Sequence, residues 1–232
     1  MSDQFPVWFH ALAIASLAVA AACALWITFD LLRRPEKMVV MNWVWPLATM
    51  FGSVLWLALY RKSRAQASGG GETPMPLAVA KGASHCGAGC TLGDIIAEWV
   101  GLAFPVLAVW FGWHTIFAEK TFAMWIPDFI LAFAIGIVFQ YFSIAPMRGL
   151  GLREGLAAAI KADTLSISSW QVGMYGGMAL IQFGLLKPLY GKVAPVNSPE
   201  FWFVMQIAML AGFATAYPVN WWLVRTGVKE KM

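Results

Sequence analysis

The sequence predicts an all-α protein, a polytopic membrane bundle of about six transmembrane helices with an additional interfacial amphipathic helix. Hydrophobic residues make up 60% of the 232-residue chain, compared with about 45–50% in soluble domains. Only 12% of the residues are charged. Several apolar runs reach the length of about 20 residues that a helix needs to cross a hydrocarbon core of about 30 Å. The 13 tryptophans lie mostly near the ends of these runs, as is typical of membrane interfaces.

The first two apolar runs, residues 7–32 and 38–60, predict a transmembrane helical hairpin that occupies residues 1–62. The first run lacks the basic start and the small-residue cleavage site of a removable signal peptide, so we expect it to be retained. Residues 63–83 are richer in Ser, Gly, Lys and Pro. This composition predicts a flexible linker.

Residues 84–232 predict a four-helix membrane domain. Between two of its apolar runs, small and apolar residues alternate with Arg148, Arg153 and Lys161, which predicts the interfacial amphipathic helix at 147–161. The apolar runs of this domain are residues 92–117, 121–146, 163–186 and 201–224.

The distribution of Lys and Arg favours an orientation with both termini in the cytoplasm. In that orientation the inner segments carry 10 of the 16 basic residues and the outer segments carry 6. The residues directly after the first run, Arg33, Arg34 and Lys37, favour the opposite orientation. The orientation matters for the cysteines, because thiols persist in the cytoplasm and can pair as disulfides outside it.

The segment from residue 84 to residue 98 concentrates groups that bind metals. Cys86, Cys90, Asp94 and Glu98 recur every four residues, so they form one slowly drifting stripe if the segment is helical. Nearby glycines favour instead a loop or a frayed turn around Cys86. Thiolate and imidazole are ligands of soft ions such as Cu(I). We therefore predict that His85, Cys86 and Cys90 bind a metal ion, with copper as the expected ion.

A second polar group lies at the start of the run 163–186. Ionisable residues inside a span are costly and tend to face the bundle interior or an aqueous path. We therefore predict a relay or ion path that consists of Asp94, Glu98, Asp163, Gln171 and Met174. The alternative is that Asp163 caps its helix and that the Ser and Gly residues nearby allow close helix packing.

The sequence argues against several other functions, and we expect its remaining Cys and His residues to have structural roles. The net charge of +4 comes from residues that flank apolar runs, so we expect no nucleic acid partner. The chain has neither a nucleotide-binding glycine loop nor a zinc-protease motif. Cys23 is predicted to pack in the core, and His10 and His114 are predicted to lie at the interfaces.

Three separated motifs occur in a fixed order: His85 to Asp94, Lys161 to Tyr175, and Tyr217 to Trp222. Together they resemble the bacterial membrane family catalogued as domain of unknown function 4396, with the signature His-Cys-x-x-x-Cys-x-x-Gly-Asp. The resemblance covers residues 84–232. It implies a multi-pass protein of the bacterial inner (cytoplasmic) membrane in contact with the lipid bilayer. It implies no established activity, and it makes the first two helices an addition to a four-helix unit.

Three functions remain open, and the first is not enzymatic. It is the binding or transport of a soft transition metal, copper above all, through a Cys/His site at the mouth of the bundle. The second is a membrane thiol-disulfide oxidoreductase in which Cys86 and Cys90 cycle and pass electrons to a quinone. The third is a structural subunit that acts with a second copy of the chain or with another membrane protein.

Overall fold

The computed structural model describes residues 5–70 and 72–230, and these residues form helices and connecting loops without a β-strand. The prediction of an all-α chain is confirmed. A π-helical stretch, Leu180–Leu186, continues the sixth helix into the seventh. In chain order the helices are α1 (Val7–Arg33), α2 (Met41–Ser68), α3 (Met75–Ala103), α4 (Val106–Trp110), α5 (Lys120–Arg148), α6 (Leu152–Ala179), α7 (Lys187–Tyr190) and α8 (Pro199–Arg225).

Four of the helices in the described ranges, α1, α2, α5 and α8, are long and apolar enough to cross a membrane. In α1 only 22% of the most apolar window is buried, so most of its surface is free to contact lipid. α3 and α6 have similar lengths of 29 and 28 residues, but they carry more polar residues. That these two also span, which would make six, stays a prediction.

α2 bends at Ser53, whose backbone has φ 48° and ψ −128°. The ring of Trp56 lies against Gly52, 1.9 Å from where a Cβ would stand, so a side chain does not fit at this position. The indole Nε1 of Trp56 donates to Ser84 Oγ of α3 at 3.0 Å. The bend therefore places a side chain of α2 directly on the part of α3 that carries the cysteines.

The prediction of a flexible linker at 63–83 is wrong over most of its length. α2 continues to Ser68, and α3 begins at Met75 with Pro76 in its first turn, where the missing N–H of proline is not needed. The physical reason is burial. The residues from Leu77 to Val79 are buried in the bundle, so this segment gains packing contacts that its composition does not reveal.

The cysteine segment is regular α-helix, and the expectation of a loop or frayed turn around Cys86 is wrong. Two of its glycines, Gly89 and Gly93, lie where α3 meets α5. A Cβ on Gly89 would come within 2.8 Å of Gly136 Cα, and a Cβ on Gly93 within 2.6 Å of Ala132 Cα. Each glycine lowers helix propensity by about 1 kcal/mol, and the close approach of the two backbones offsets this loss.

The segment 147–161 does not form a separate interfacial helix. α5 ends at Arg148, and Gly149 closes it with a left-handed φ of 63°. Residues 152–161 are then the first turns of α6. Most of them are exposed, whereas Gly155 and Ala159 are buried. The amphipathic pattern therefore belongs to the exposed end of a longer helix.

The predicted run 92–117 is divided between two helices. Proline lacks an amide donor and disfavours helical geometry in the residue before it, so α3 ends at Ala103, just ahead of Pro105. After the short helix α4, Gly112 and His114 adopt positive φ values of 94° and 69°. The loop turns the chain back into α5, antiparallel to α3.

The predicted hairpin and the helices after it share one hydrophobic core. Gln206 Nε2 of α8 donates to the Met50 carbonyl of α2 at 2.7 Å, and Ser16 Oγ of α1 donates to Gln206 Oε1 at 2.7 Å. Phe51 of α2 packs edge-on against Trp170 of α6, with 5.4 Å between ring centres. The hairpin thus packs directly on the rest of the bundle, and its separation into a domain of its own stays a prediction.

Candidate functional site

The motif of α3 forms a buried stripe, the polar file, which consists of Cys86, Cys90, Asp94 and Glu98. Their exposed fractions are 0, 0, 1 and 5%. At 1.5 Å per residue, the file extends over about 18 Å of the helix axis. Polar groups from other elements meet the file at two places, one at Cys86 and one at Asp94 and Glu98.

The first group is the lysine–thiol cluster, which consists of Cys86, Asp163, Ser166, Asn220 and Lys229. Lys229 Nζ donates to Asp163 Oδ1 at 2.7 Å, and Cys86 Sγ donates to the same oxygen at 3.3 Å. The sulfur also lies 2.7 Å from Ser166 Oγ, which accepts from Asn220 Nδ2 at 2.6 Å. The cluster therefore ties α3, α6 and α8 to the residues that follow α8.

The ion pair of this cluster lies wholly inside the bundle, since the side chains of Lys229 and Asp163 are both 0% exposed. Burial alone would lower the pKa of Lys229, but the Asp163 carboxylate and the Cys86 thiol raise it, and the net shift is upward. Removing one partner of a buried pair typically costs about 3–5 kcal/mol, because it leaves the other charge uncompensated. The pair therefore fixes this end of the file in one arrangement.

The second group is the carboxyl cluster, which consists of Asp94, Glu98, Asp128 and Tyr175. Asp94 and Asp128 are each 1% exposed, and their carboxyl groups are close enough to interact directly. No N–H or O–H group of ordinary hydrogen-bond geometry reaches these four oxygens within the described part of the chain, but Asp128 lies close enough to share hydrogen bonds with Asp94 and with the Tyr175 hydroxyl. Tyr175 lies beside them and donates to the Trp125 carbonyl at 3.0 Å.

A positive charge near Asp94 and Asp128 would stabilise their ionised forms. Two neighbouring carboxylates in an apolar interior repel each other strongly when both are ionised. The ammonium group of Lys120 donates to the Gly101 carbonyl at 2.8 Å and acts electrostatically on Glu98. It forms no ion pair with Asp94 or Asp128 among the described residues. The carboxyl cluster can therefore take up a proton or another small cation, and residues of this kind inside a bundle commonly mark an ion path.

Cys90 and Gln171 lie between the two clusters. Cys90 occupies the turn of α3 between Cys86 and Asp94 and is fully buried. Gln171 lies between Ser166 and Tyr175 along α6, is 1% exposed, and has no partner for either amide atom among the described residues. Thiol and amide groups both donate and accept hydrogen bonds, so both residues have the chemistry to connect the clusters.

His85 does not join the two cysteines. One residue along a helix turns the side chain by about 100°, and the ring of His85 faces α2, where Nε2 lies 2.9 Å from Met41 Sδ. Cys23, Cys86 and Cys90 are all free thiols. In the ranges that the structure describes, no three His, Cys, Asp or Glu side chains are grouped so as to hold a metal ion.

The residues of the predicted path lie in different surroundings. Asp94 and Glu98 belong to the carboxyl cluster, Asp163 belongs to the lysine–thiol cluster, and Gln171 lies between the two. Met174 is fully buried and packs in the hydrophobic core. The alternative role of Asp163 as a helix cap is wrong, because α6 begins at Leu152 and Asp163 lies well inside it.

Five residues of the two clusters were not predicted as site residues: Asp128, Ser166, Tyr175, Asn220 and Lys229. Asp128 lies in the apolar run 121–146, where a carboxylate is in itself a sign of function, so the sequence does hold the signal for it. Lys229 belongs to a basic segment after the last apolar run, and basic residues there equally indicate membrane orientation. Nothing in the local sequence predicts that this lysine returns into the bundle.

The apolar helices and the buried polar file define a class of protein, a membrane-type helical bundle with charged residues in its interior. A family model described as Domain of unknown function (DUF4396) matches residues 77–229, and the chain belongs to this family, as its motifs indicate. No curated protein and no solved structure matches the chain. The matched range contains both clusters, whereas α1 and α2 precede it.

Proposed function

We propose that this chain is an integral membrane protein that carries protons through its bundle along the polar file. The observation that supports this most is the pair Asp94 and Asp128, buried side by side without an ion-pair partner among the described residues. Ionisable groups inside a membrane bundle are expensive and are typically kept for proton or ion transfer. A proton on one of the two carboxyl groups relieves their repulsion, and its transfer to the next acceptor restores the pair.

The other residues of the file extend this pair in both directions along α3. Glu98 continues the carboxyl groups by one further turn. Toward the other end, Cys90 and Gln171 lead to the Cys86 thiol, which contacts both Ser166 Oγ and Asp163 Oδ1. The carboxyl groups take up and release protons, and the thiol, hydroxyl and amide groups donate and accept the hydrogen bonds that link them.

The test is proton flux in vesicles. The purified protein is reconstituted with a pH-sensitive dye inside, and a potassium gradient with valinomycin drives protons inward. We expect wild type to acidify the interior faster than empty vesicles do, and Asp128→Asn to reduce the rate at least about tenfold, the effect of about 1.4 kcal/mol on a barrier. Glu119→Gln is the matched control, because Glu119 pairs with Lys187 at the surface. An Asp128→Asn rate equal to that of wild type would exclude the proposal.

A second candidate, binding or transport of a soft metal such as copper, is favoured by the sulfur groups of the interior. Cys86 and Cys90 are free thiols one helical turn apart, so their Cα atoms are about 6 Å apart and the thiols can close on one ion. His85 does not fit as the third ligand, since its ring faces Met41. Lys229 Nζ lies 3.5 Å from Cys86 Sγ, and its positive charge opposes a metal cation there. The oxidoreductase and structural-subunit hypotheses stay predictions.

A further inference from the structure

The residues that follow α8 fold back toward the bundle. α8 ends at Arg225, and Gly227 reverses the chain with a left-handed φ of 70°. The amides of Val228 and Lys229 then donate to the Leu223 carbonyl at 3.0 and 3.1 Å. This is the usual way in which a glycine closes a helix, and here it aims the side chain of Lys229 into the interior.

Inside the bundle, the ammonium group of Lys229 is surrounded by acceptor groups of the kind that bind a free cation. Nζ donates to Asp163 Oδ1 at 2.7 Å, to the Gly82 carbonyl at 3.3 Å and to Cys86 Sγ at 3.5 Å. Carboxylate and carbonyl oxygens are also the groups that surround monovalent cations in membrane channels. The second carboxylate oxygen of Asp163 has no partner among the described residues.

We infer that Asp163, the Gly82 carbonyl and Cys86 form a binding site for a monovalent cation at the mouth of the polar file, and that Lys229 fills this site as a tethered plug. The inference rests on the proposed function for its role, since the plug closes the route that the protons take. An ion at Asp163 and the ammonium of Lys229 exclude each other, because two positive charges at one buried carboxylate repel each other strongly.

Two ion pairs hold the plug segment, one inside the bundle and one at its surface. Inside, Lys229 is fixed by the buried ion pair with Asp163. Outside, Arg148 Nε donates to Glu230 Oε1 at 2.6 Å, and the two side chains are 38 and 33% exposed. The outer contact is reachable from water and joins the plug to the end of α5, whereas release of the plug requires the buried ion pair to separate.

The plug is tested by the access of reagents to Cys86. In a background with Cys23→Ala and Cys90→Ala, a positively charged thiol reagent reacts with Cys86 only when water reaches it. We expect Lys229→Ala to label at least about tenfold faster than the background protein, because the side chain that fills the site is removed. Butylammonium, which matches the length and charge of the lysine side chain, should slow labelling again, whereas butanol should not.

A second variant leaves the site intact and acts only on the turn. Gly227→Val places a β-branched residue at positive φ, which is strained, and no atom lies within 4 Å of the new Cβ. It should accelerate labelling by releasing Lys229. Gly191→Val is the matched control, because Gly191 has a φ of 72°, equally open space and no contact with the plug. Equal labelling of Gly227→Val and the control would overturn the plug.

The results also separate this inference from the proposed function. If labelling responds as expected but no variant carries protons, the cation site stands and the proton function fails. If flux depends on Asp128 but labelling of Lys229→Ala equals that of the background protein, the function stands and the plug is overturned. If butylammonium leaves the fast labelling unchanged, Lys229 does not mark a cation site.

Discussion

The two clusters that meet the polar file both contain buried aspartates but differ in charge balance. In the lysine–thiol cluster, the Asp163 carboxylate faces the Lys229 ammonium at 2.7 Å, and thiol, hydroxyl and amide groups surround the pair. In the carboxyl cluster, Asp94 and Asp128 face each other without an ion-pair partner among the described residues. The aspartates of both clusters are equally buried, at 0 to 1% exposed. Burial alone therefore does not distinguish a structural charge from a functional one.

The difference teaches which charge in a bundle is able to move. A buried carboxylate with a permanent partner is held in place, because the pair loses several kcal/mol when it is separated. A buried carboxyl group without a charged partner is expensive and commonly marks function. Under the proposed function, a proton is the transient partner of Asp94 and Asp128.

The largest expected effect is on stability, at the lysine–thiol cluster. Lys229→Met keeps the length of the side chain and removes the charge, so Asp163 is left unpaired. We expect a loss of about 3–5 kcal/mol in the free energy of unfolding, measured with denaturant in detergent micelles. The double variant Lys229→Met/Asp163→Asn should recover most of this loss. A double variant less stable than Lys229→Met would show that the pair is not what stabilises this end.

In the same denaturation assay, a substitution in the carboxyl cluster should not lower the free energy of unfolding and should even raise it slightly. Asp128→Asn removes a carboxyl group that has no ion-pair partner in the described structure and relieves its repulsion with Asp94. We expect the variant to be about as stable as wild type or more stable by about 1 kcal/mol, as is common when a functional charge is removed. A loss as large as that of Lys229→Met would make Asp128 a structural residue and remove the contrast between the clusters.

If the protein binds copper, the ion that moves binds at the lysine–thiol cluster, and the carboxyl cluster is not the functional site. If this candidate function is correct, Cys86→Ser and Cys90→Ser should each weaken Cu(I) binding at least about tenfold, because oxygen is a poor ligand for a soft ion. Glu98→Gln should have little effect, since Glu98 lies about 12 Å along the axis from Cys90. Competition with a Cu(I) chelator under reducing conditions measures all three. Serine variants that bind like wild type would remove this candidate.

The smallest effect is expected at the outer end of the plug. Arg148 and Glu230 are partly exposed, and exposed ion pairs contribute about 0–1 kcal/mol. Glu230→Gln should therefore change the free energy of unfolding by less than about 1 kcal/mol, in the same denaturation assay. A loss comparable to that of Lys229→Met would mean that the outer contact, rather than the buried pair, holds the segment.

The sequence was sufficient for those features of the fold that depend on local pattern. Apolar runs predict the helices, and the four-residue spacing predicts that Cys86, Cys90, Asp94 and Glu98 share one stripe. The sequence was insufficient for features that depend on contacts between helices. Gly89 and Gly93 of α3 looked like breaks in a helix, but both positions require glycine because Gly136 and Ala132 of α5 leave room only for a backbone.

The sequence predicted polar residues of the site on α3 and on α6, but it did not predict their contacts with other elements. Asp163 and Lys229 are 66 residues apart, and no spacing rule connects a residue inside one helix with a residue after another. Asp128 could have been found, because it is a carboxylate inside an apolar run. Its partner Asp94 was predicted, but their contact depends on the antiparallel packing of α3 and α5, which composition does not specify in detail.

The most direct test of this division of roles combines the two clusters in one measurement of proton flux. Lys229→Ala opens the mouth of the polar file, and we expect vesicles with this variant to acidify faster than vesicles with wild type. Adding Asp94→Asn and Asp128→Asn to the opened chain should return the rate to that of empty vesicles, because the groups that carry the proton are gone. A triple variant that acidifies as fast as Lys229→Ala would contradict the account and place the proton route outside the carboxyl cluster.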